Sequence, residues 1–526
     1  MRFLALFLVL ALLLSGCSYL DSAFGWEEAV PYCQMQYTRP DLDALENKLA
    51  DVCAFAENCN DVSALITAIY GFYDIYDSYL TDWYLADLHY SADLTDSYWE
   101  AEYNFCTENV PRLDSALERL YMALAVCPLR RTLEQEYFGE GFFTAYEGEA
   151  VLDETYTALL EEEARLENEY YALSDEAMAL GIGSDAYYDS YTEPMAQLLA
   201  ELVKVRQEMA DYLGYDSYAD LAYYGIYYRS YAPAEALDYL VSLKDALLED
   251  YLGINGSDIW EFSARYSDSQ ETFAYLKEAA TNMGGTVKHA FDLLESSQLY
   301  DIGYGENKYD SSFALYLWRY EEPFIFMNPW LDQTDKLTLA HEFGHFANDY
   351  VCYGSYAGTD VAEVHSQAME YLSLCYTKNT EALARYKLGD SLCTFLECAA
   401  YALFEHRLYD LSPEELTTEN ILDLYEATGE AFGFDSWDWD SRDFVSIVHF
   451  YTEPMYMVSY VVSNDVAMQF YQLEQDTPGK GLALYEQILQ SEDSDIIAFA
   501  ETYGLESPFS EGRPQELAET FRSILS

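Results

Sequence analysis

The chain has 526 residues, with 94 acidic side chains against 26 basic ones and a formal net charge of −68. That balance excludes nucleic acid as a partner, because phosphate recognition needs a basic surface, and it would repel an anionic lipid surface. Hydrophobic residues make up 51% of the chain, so the charge clothes a folded body, and the length calls for two lobes or one large helical body.

The first sixteen residues read as a targeting segment. Arg2 supplies a positive start, and Phe3 to Leu14 form an apolar run too short for a comfortable membrane span. The run ends in Leu14-Ser15-Gly16-Cys17, which resembles the lipobox of bacterial lipoproteins, where the cysteine is lipidated and becomes the new N-terminus. The expectation is a signal peptide over residues 1–16 and a lipid anchor at Cys17, holding the protein on the outer face of the bacterial cell membrane. An ordinary secretory signal is the alternative. No second long apolar run follows, so no transmembrane helix is expected. Nine cysteines follow Cys17, and an exported location permits disulfides. Their odd number leaves at least one thiol without an intrachain mate, and no C-x-x-C pair suggests a cysteine zinc site. Cys53 with Cys59 is one local pairing among several open ones.

From Pro40 to about Val203 the chain reads as successive helices, with apolar residues at three- and four-residue spacing. The periodicity predicts helices at Leu42–Phe55, Ser63–Tyr79, Arg112–Val126 and Asp153–Leu173. Another is predicted over Leu198–Tyr223, interrupted where Gly214 follows Leu213 and Asp216 or Ser217 can cap a restart. The 52 tyrosines are mostly interleaved with Asp, Glu and Ala, as amphipathic helices with wet phenol tips require. The expected class is mainly α, with an N-terminal helical domain over 17–195 and a catalytic domain over 196–526.

Around residues 300–330 the pattern changes. Ser312 to Trp318 and Pro323 to Asn328 are rich in aromatic and branched residues and flank a short polar link, Arg319 to Glu322, which predicts a hairpin or two adjacent strands. Their neighbour is His341-Glu342-Phe343-Gly344-His345, an H-E-x-x-H motif in a chain with only 7 histidines. On a helix, positions i and i+4 share a face, so both imidazoles reach one metal, and the adjacent glutamate can take a proton from a water held there. Thr334 or Asp335 is the expected cap of that helix. A catalytic zinc keeps three protein ligands and an open position. The next candidate helix carries Glu363 and Glu370 two turns apart on one face, with His365 rotated away. Glu363 is the favoured third ligand, and Glu370 the favoured partner that orients a ligating histidine.

These residues resemble the thimet oligopeptidase and oligoendopeptidase F family of zinc peptidases. The motif matches that family's zinc helix, and Ala362-Glu363-Val364, Ser366 and Glu370 match its third-ligand helix. Arg206 to Asp220, Pro323 to Asn328, Thr338-Leu339-Ala340, and His449-Phe450-Tyr451 with Tyr456 and Tyr460 match further stretches, so the resemblance runs from about residue 195 onward. It implies a two-lobed helical body with a deep central channel and a small β-sheet beside the zinc helix. It also implies one zinc ion on His341, His345 and Glu363, Glu342 as general base, and short peptides as substrates. His449, Tyr456 and Tyr460 would face the metal across the cleft, with Tyr460 the stronger oxyanion donor. The chain departs from the family at Asn348, at Val458, in the loop before Glu363, and at Asp310-Ser311-Ser312, where a glycine-rich turn is usual. These departures bear on cleft width and not on ligands or base. Two other functions remain open: a catalytically silent peptide-binding lipoprotein, and a dipeptidyl carboxypeptidase of the same fold.

Overall fold

The computed structural model describes residues 29–146, 154–178, 180–181, 183–254, 258–354, 358–434, 439–491 and 493–525. The apolar N-terminal run and Cys17 lie outside them. No described helix is long and apolar enough to cross a membrane, and no disulfide joins the described cysteines, Cys53 and Cys59 included.

Helices dominate, and part of the acidic excess starts them. Asp41, Asp61, Asp268 and Asp495 each occupy an N-cap, and each carboxylate accepts a backbone N–H of the first turn. Such caps are worth about 1 kcal/mol apiece and place negative charge at the positive end of the helix dipole. The predicted Ser63–Tyr79 helix runs on to Ala92, because Leu80, Leu85 and Leu88 keep the apolar spacing and nothing breaks it before Asp93. The expected interruption after Leu213 is present: Gly214 adopts a left-handed φ of 79°, and Ser217 caps the restart by accepting from Asp220 N. The helix it ends spans Asp185–Leu213, so residue 195 falls inside a continuous helix.

Two cores result. The smaller gathers Leu49, Phe72, Tyr76, Leu117 and Tyr121 from the N-terminal helices. The larger runs from Leu85 and Leu88 through the rest of the chain. Tyr316 and Trp318 belong to the smaller core, so the hairpin is inserted between the two. Arg319 locks it there, bonding both carboxylate oxygens of Asp82 at 2.8 and 2.7 Å.

The sheet has three strands, β1 (Tyr300–Asp301), β2 (Ser312–Leu317) and β3 (Glu322–Met327), in the order β1-β3-β2. β2 and β3 form the predicted hairpin, antiparallel with Phe313 opposite Phe326, and β1 runs parallel to β3. β3 is central and fully buried, which leaves β2 with an unpaired edge.

The motif helix (Asp335–Cys352) follows, then the Glu363 helix (Thr359–Tyr376). Gly344 sets their separation. A Cβ there would sit 2.5 Å from the His365 carbonyl oxygen and 2.6 Å from Ser366 Cα, so only glycine allows the two backbones this close. The cap of the motif helix differs from expectation. Thr334 holds the N-cap position, but its hydroxyl donates to Asp332, and the Asp335 carboxylate accepts Trp330 N and Asp332 N of the preceding turn. The sharp turn over 330–334 uses both side chains, leaving neither for the helix.

Candidate active site

The close helix packing brings His341 Nε2 to 3.4 Å and His345 Nε2 to 3.9 Å from Glu363 Oε2. One donor atom from each residue lies within 4.8 Å of the others. Donors about 2.0–2.1 Å from a tetrahedral zinc stand roughly 3.4 Å from one another, so two imidazoles and one carboxylate in this arrangement fit that ion. The protonation states fit as well. Burial depresses the His345 pKa to about 4, keeping the imidazole neutral as a metal ligand must be. Burial opposes ionisation of Glu363, but hydrogen bonding to His341, the charge of His341 and the Tyr456 hydroxyl hold it below the usual carboxylate range. Burial also opposes protonation of His341, yet Glu363 and Glu370 outweigh it and raise its pKa; a dication would take the place of that proton.

Each donor is steadied from behind. Glu370 Oε1 sits 2.9 Å from His341 Nδ1, and its other oxygen accepts from Lys387 Nζ at 2.7 Å. Lys387, on the helix Glu381–Tyr409, is itself buried. Ser366 Oγ donates to Glu363 Oε2 at 2.9 Å, and Tyr456 OH donates to Glu363 Oε1 at 2.6 Å. His365 points away, as its phase predicts, and lies fully buried near Tyr485 and Phe499.

Glu342 is beside the cluster. Burial pushes its carboxyl up to about 7, and the Ala314 backbone N–H donates to it. That amide belongs to β2 and points away from β3. In an extended strand alternate residues present N–H and C=O to the same edge, so Ser312 and Ala314 turn theirs toward the site.

His449, Tyr456 and Tyr460 are brought together opposite. Their rings lie 5.1–5.7 Å apart, and His449 Nε2 is 3.2 Å from Tyr460 OH. The two tyrosines differ: the Tyr456 hydroxyl is committed to Glu363, whereas Tyr460 lines an open cavity of about 390 Å³ together with His341, Glu342, Ser312, Trp330 and Asp390. Among the described lining residues none is Lys or Arg.

Sequence reasoning missed the residues that hold this wall. Arg206, fully buried on Asp185–Leu213, pairs with Glu163 at 2.6 Å and donates to the carbonyls of Phe450 and Tyr451, beside His449. Arg229 donates to the Met455 carbonyl at 3.0 Å, beside Tyr456. Lys387 was missed too. A basic side chain set among apolar residues and tyrosines was the available signal, as in Tyr227-Tyr228-Arg229-Ser230-Tyr231.

Fold and site together define a helical body built around an H-E-x-x-H cluster able to hold one metal ion. Residues 32–152 match the peptidase M3 N-terminal domain and residues 287–498 match peptidase family M3, together more than half of the chain. The chain belongs to peptidase family M3. No curated protein matches it. Among solved structures, it resembles PZ peptidase A with an inhibitor (18% identity, TM-score 0.82, 94% of this chain and 98% of that one). It also resembles a protein described as an oligoendopeptidase F from Bacillus anthracis strain Ames (19%, 0.79, 95% and 98%). A second oligoendopeptidase F structure aligns at 19% identity with a TM-score of 0.81, over 94% and 99% of the two chains. At these identities the likeness concerns the fold.

Proposed function

We propose that this protein is a zinc-dependent oligopeptidase that hydrolyses internal bonds of short peptides. The observation that carries the reading is a cluster of three ligand-ready donors whose His341 lines one cavity together with a carboxyl raised to about 7 and Tyr460. A bound zinc supplies Lewis acidity toward the scissile carbonyl and acidifies a water. The other tasks fall to the chain. The outward edge of β2 offers an extended peptide the Ser312 N–H and carbonyl and the Ala314 carbonyl, fixing the scissile bond over the site. Glu342 takes the proton of the attacking water and delivers it to the leaving amine, and a carboxyl near 7 suits both transfers. With its proton on Nε2, His449 donates across the 3.2 Å contact to the Tyr460 oxygen, and the Tyr460 proton is then turned to the developing oxyanion. Tyr456 holds Glu363 in its ligating orientation.

A dipeptidyl carboxypeptidase would need a cation to fix the free carboxylate of its substrate. The lining without Lys or Arg favours the internal-bond reading. The acidic surface also favours cationic or neutral peptides over acidic ones. We place the enzyme on the outer face of the cell membrane through lipidation of Cys17. Loss of lipid labelling in Cys17→Ala tests the anchor.

The catalytic test is Glu342→Gln. Peptide cleavage should drop by ~10²–10⁴-fold with one zinc still bound. Unchanged cleavage would remove Glu342 as base, and peptide capture without turnover in the unaltered protein would instead favour the silent binder. A C-terminally amidated peptide separates the remaining pair, since only an endopeptidase cuts it efficiently.

A further inference from the structure

The segment carrying Tyr456 and Tyr460 begins in a strained turn. Met455 adopts a left-handed φ of 65°, a conformation that costs a side-chain-bearing residue free energy and persists only where its surroundings impose it. Four side-chain contacts impose it here. Glu405 Oε1 accepts Met455 N at 2.8 Å, and Tyr227 OH donates to the Pro454 carbonyl at 2.9 Å. Arg229 supplies the other two: Nη1 donates to the Met455 carbonyl at 3.0 Å, and Nη2 to Ser459 Oγ at 2.8 Å. Its Nε reaches Asp360 Oδ1 at 3.4 Å, and Asp360 also accepts from Ser459 Oγ and Tyr231 OH. The guanidinium is 1% exposed and lies over the rings of Tyr223 and Tyr227 at 4.6 and 4.4 Å.

Asp360 stands three residues before Glu363 on one helix, so both project from the same face. One rigid fork therefore ties the turn before Tyr456 to the helix that carries the proposed third ligand. The geometry points to Arg229 as a positioning residue for peptide hydrolysis, which sets Tyr456 and Tyr460 at a fixed range from Glu363 and the reacting centre. Only a planar donor with several N–H groups serves all three partners at once; an ammonium on a flexible stem keeps the charge but not the fork. This inference rests on the zinc-peptidase reading.

The test is Arg229→Lys in the zinc-loaded full chain, assayed on an internally quenched oligopeptide, with zinc content and Tm measured alongside. A purely structural arginine would lower Tm and leave kcat per folded, zinc-loaded molecule alone. A positioning role predicts that kcat falls by ~10–100-fold while KM stays within about threefold and zinc remains bound, because a small misplacement of the wall penalises the transition state most. It also predicts coupling: Tyr456→Phe, costly in the unaltered protein, changes kcat little in the Arg229→Lys background. A kcat less than about fivefold below that of the unaltered enzyme, or an equal factor for Tyr456→Phe in both backgrounds, overturns the inference. If Arg229→Lys does not fold, Ser459→Ala combined with Tyr227→Phe removes two of the same contacts, and the same two criteria decide. The readings fail separately. If Glu342→Gln still cleaves, the proposed chemistry is wrong; if Glu342→Gln is inactive and Arg229→Lys fully active, only the role of Arg229 is wrong.

Discussion

The two sides of the cleft are held by different means. On the metal-ligand side, His341, His345 and Glu363 stand on two regular helices pressed together at Gly344. On the opposite side, His449 and Tyr456 belong to a five-residue helix (Val448–Thr452) and a strained turn. There, two buried arginines grip the backbone carbonyls of Phe450, Tyr451 and Met455. Helical hydrogen bonds fix the first side locally. The second has few internal bonds of its own, so distant charged groups must fix it. A site can thus keep its candidate ligands on rigid elements and carry part of the facing wall on an irregular segment, provided that segment is over-constrained from outside.

That comparison can be broken at several points. The largest loss is expected from Arg206→Ala, which breaks the fully buried ion pair with Glu163 and frees the Phe450 and Tyr451 carbonyls, and should cost on the order of 3–5 kcal/mol in urea unfolding. Survival within about 1 kcal/mol of the unaltered stability would mean that the wall does not depend on this clamp. Gly344→Ala attacks the other side. The added methyl meets the His365 backbone, and the helices must part at a cost of about 1–3 kcal/mol, with zinc affinity falling in step. Equal zinc affinity by competitive chelation would show that the helix contact is not what sets the ligand spacing. Glu370→Gln tests the support behind a single ligand: zinc affinity should weaken by ~10–100-fold while the fold stays intact.

The smallest effect is a pH dependence. Burial pushes the Glu405 carboxyl up from its ordinary 4.5 to about 8, with the Met455 N–H and the charges of Arg206 and Arg229 opposing. A raised carboxyl pKa means that the folded state binds the proton more tightly than the unfolded one. Glu405 therefore destabilises the fold progressively as pH rises from about 4.5 to about 8. Glu405→Gln keeps an acceptor for Met455 N and abolishes the titration. Relative to the unaltered protein it should gain on the order of 1 kcal/mol between pH 4 and pH 9, once relaxation of the buried site softens the effect. A constant Tm difference across that range would rule the titration out.

The grouping of the three candidate ligands was largely legible before any coordinates. The i, i+4 histidines, the adjacent glutamate and the Glu363–Glu370 pair follow helical periodicity, which side-chain order alone reveals. The hairpin was legible for the same reason, since its alternation and polar link are local. His449, Tyr456 and Tyr460 were placed through family likeness; spacing carries no signal for the five-residue helix and turn that hold His449 and Tyr456, and nothing local marks Tyr460 within the longer helix Met457–Asp476. The partition between the two tyrosines, one bonded to Glu363 and one open to the cavity, was invisible, because it depends on which hydroxyl the Met455 turn aims at the carboxylate. Arg206, Arg229 and Lys387 were missed for a related reason: the partners of the two arginines lie 39–245 and 131–230 residues away in sequence, and Lys387 reaches Glu370, 17 residues back, besides its near neighbour Asp390.

By itself, then, the sequence determined the helical class, the β2–β3 hairpin, the three candidate ligands with their neighbouring base, and the strongly acidic character of the chain. These are properties of local periodicity and composition, which need no neighbour to be expressed. The tertiary structure decided how close the two ligand helices stand, which edge of β2 faces Glu342, and which tyrosine is free. It also joined the wall to the ligand helix through a single guanidinium. Those depend on segments from about 20 to 230 residues apart meeting at van der Waals distance around buried charges, and no pattern along the chain records that meeting.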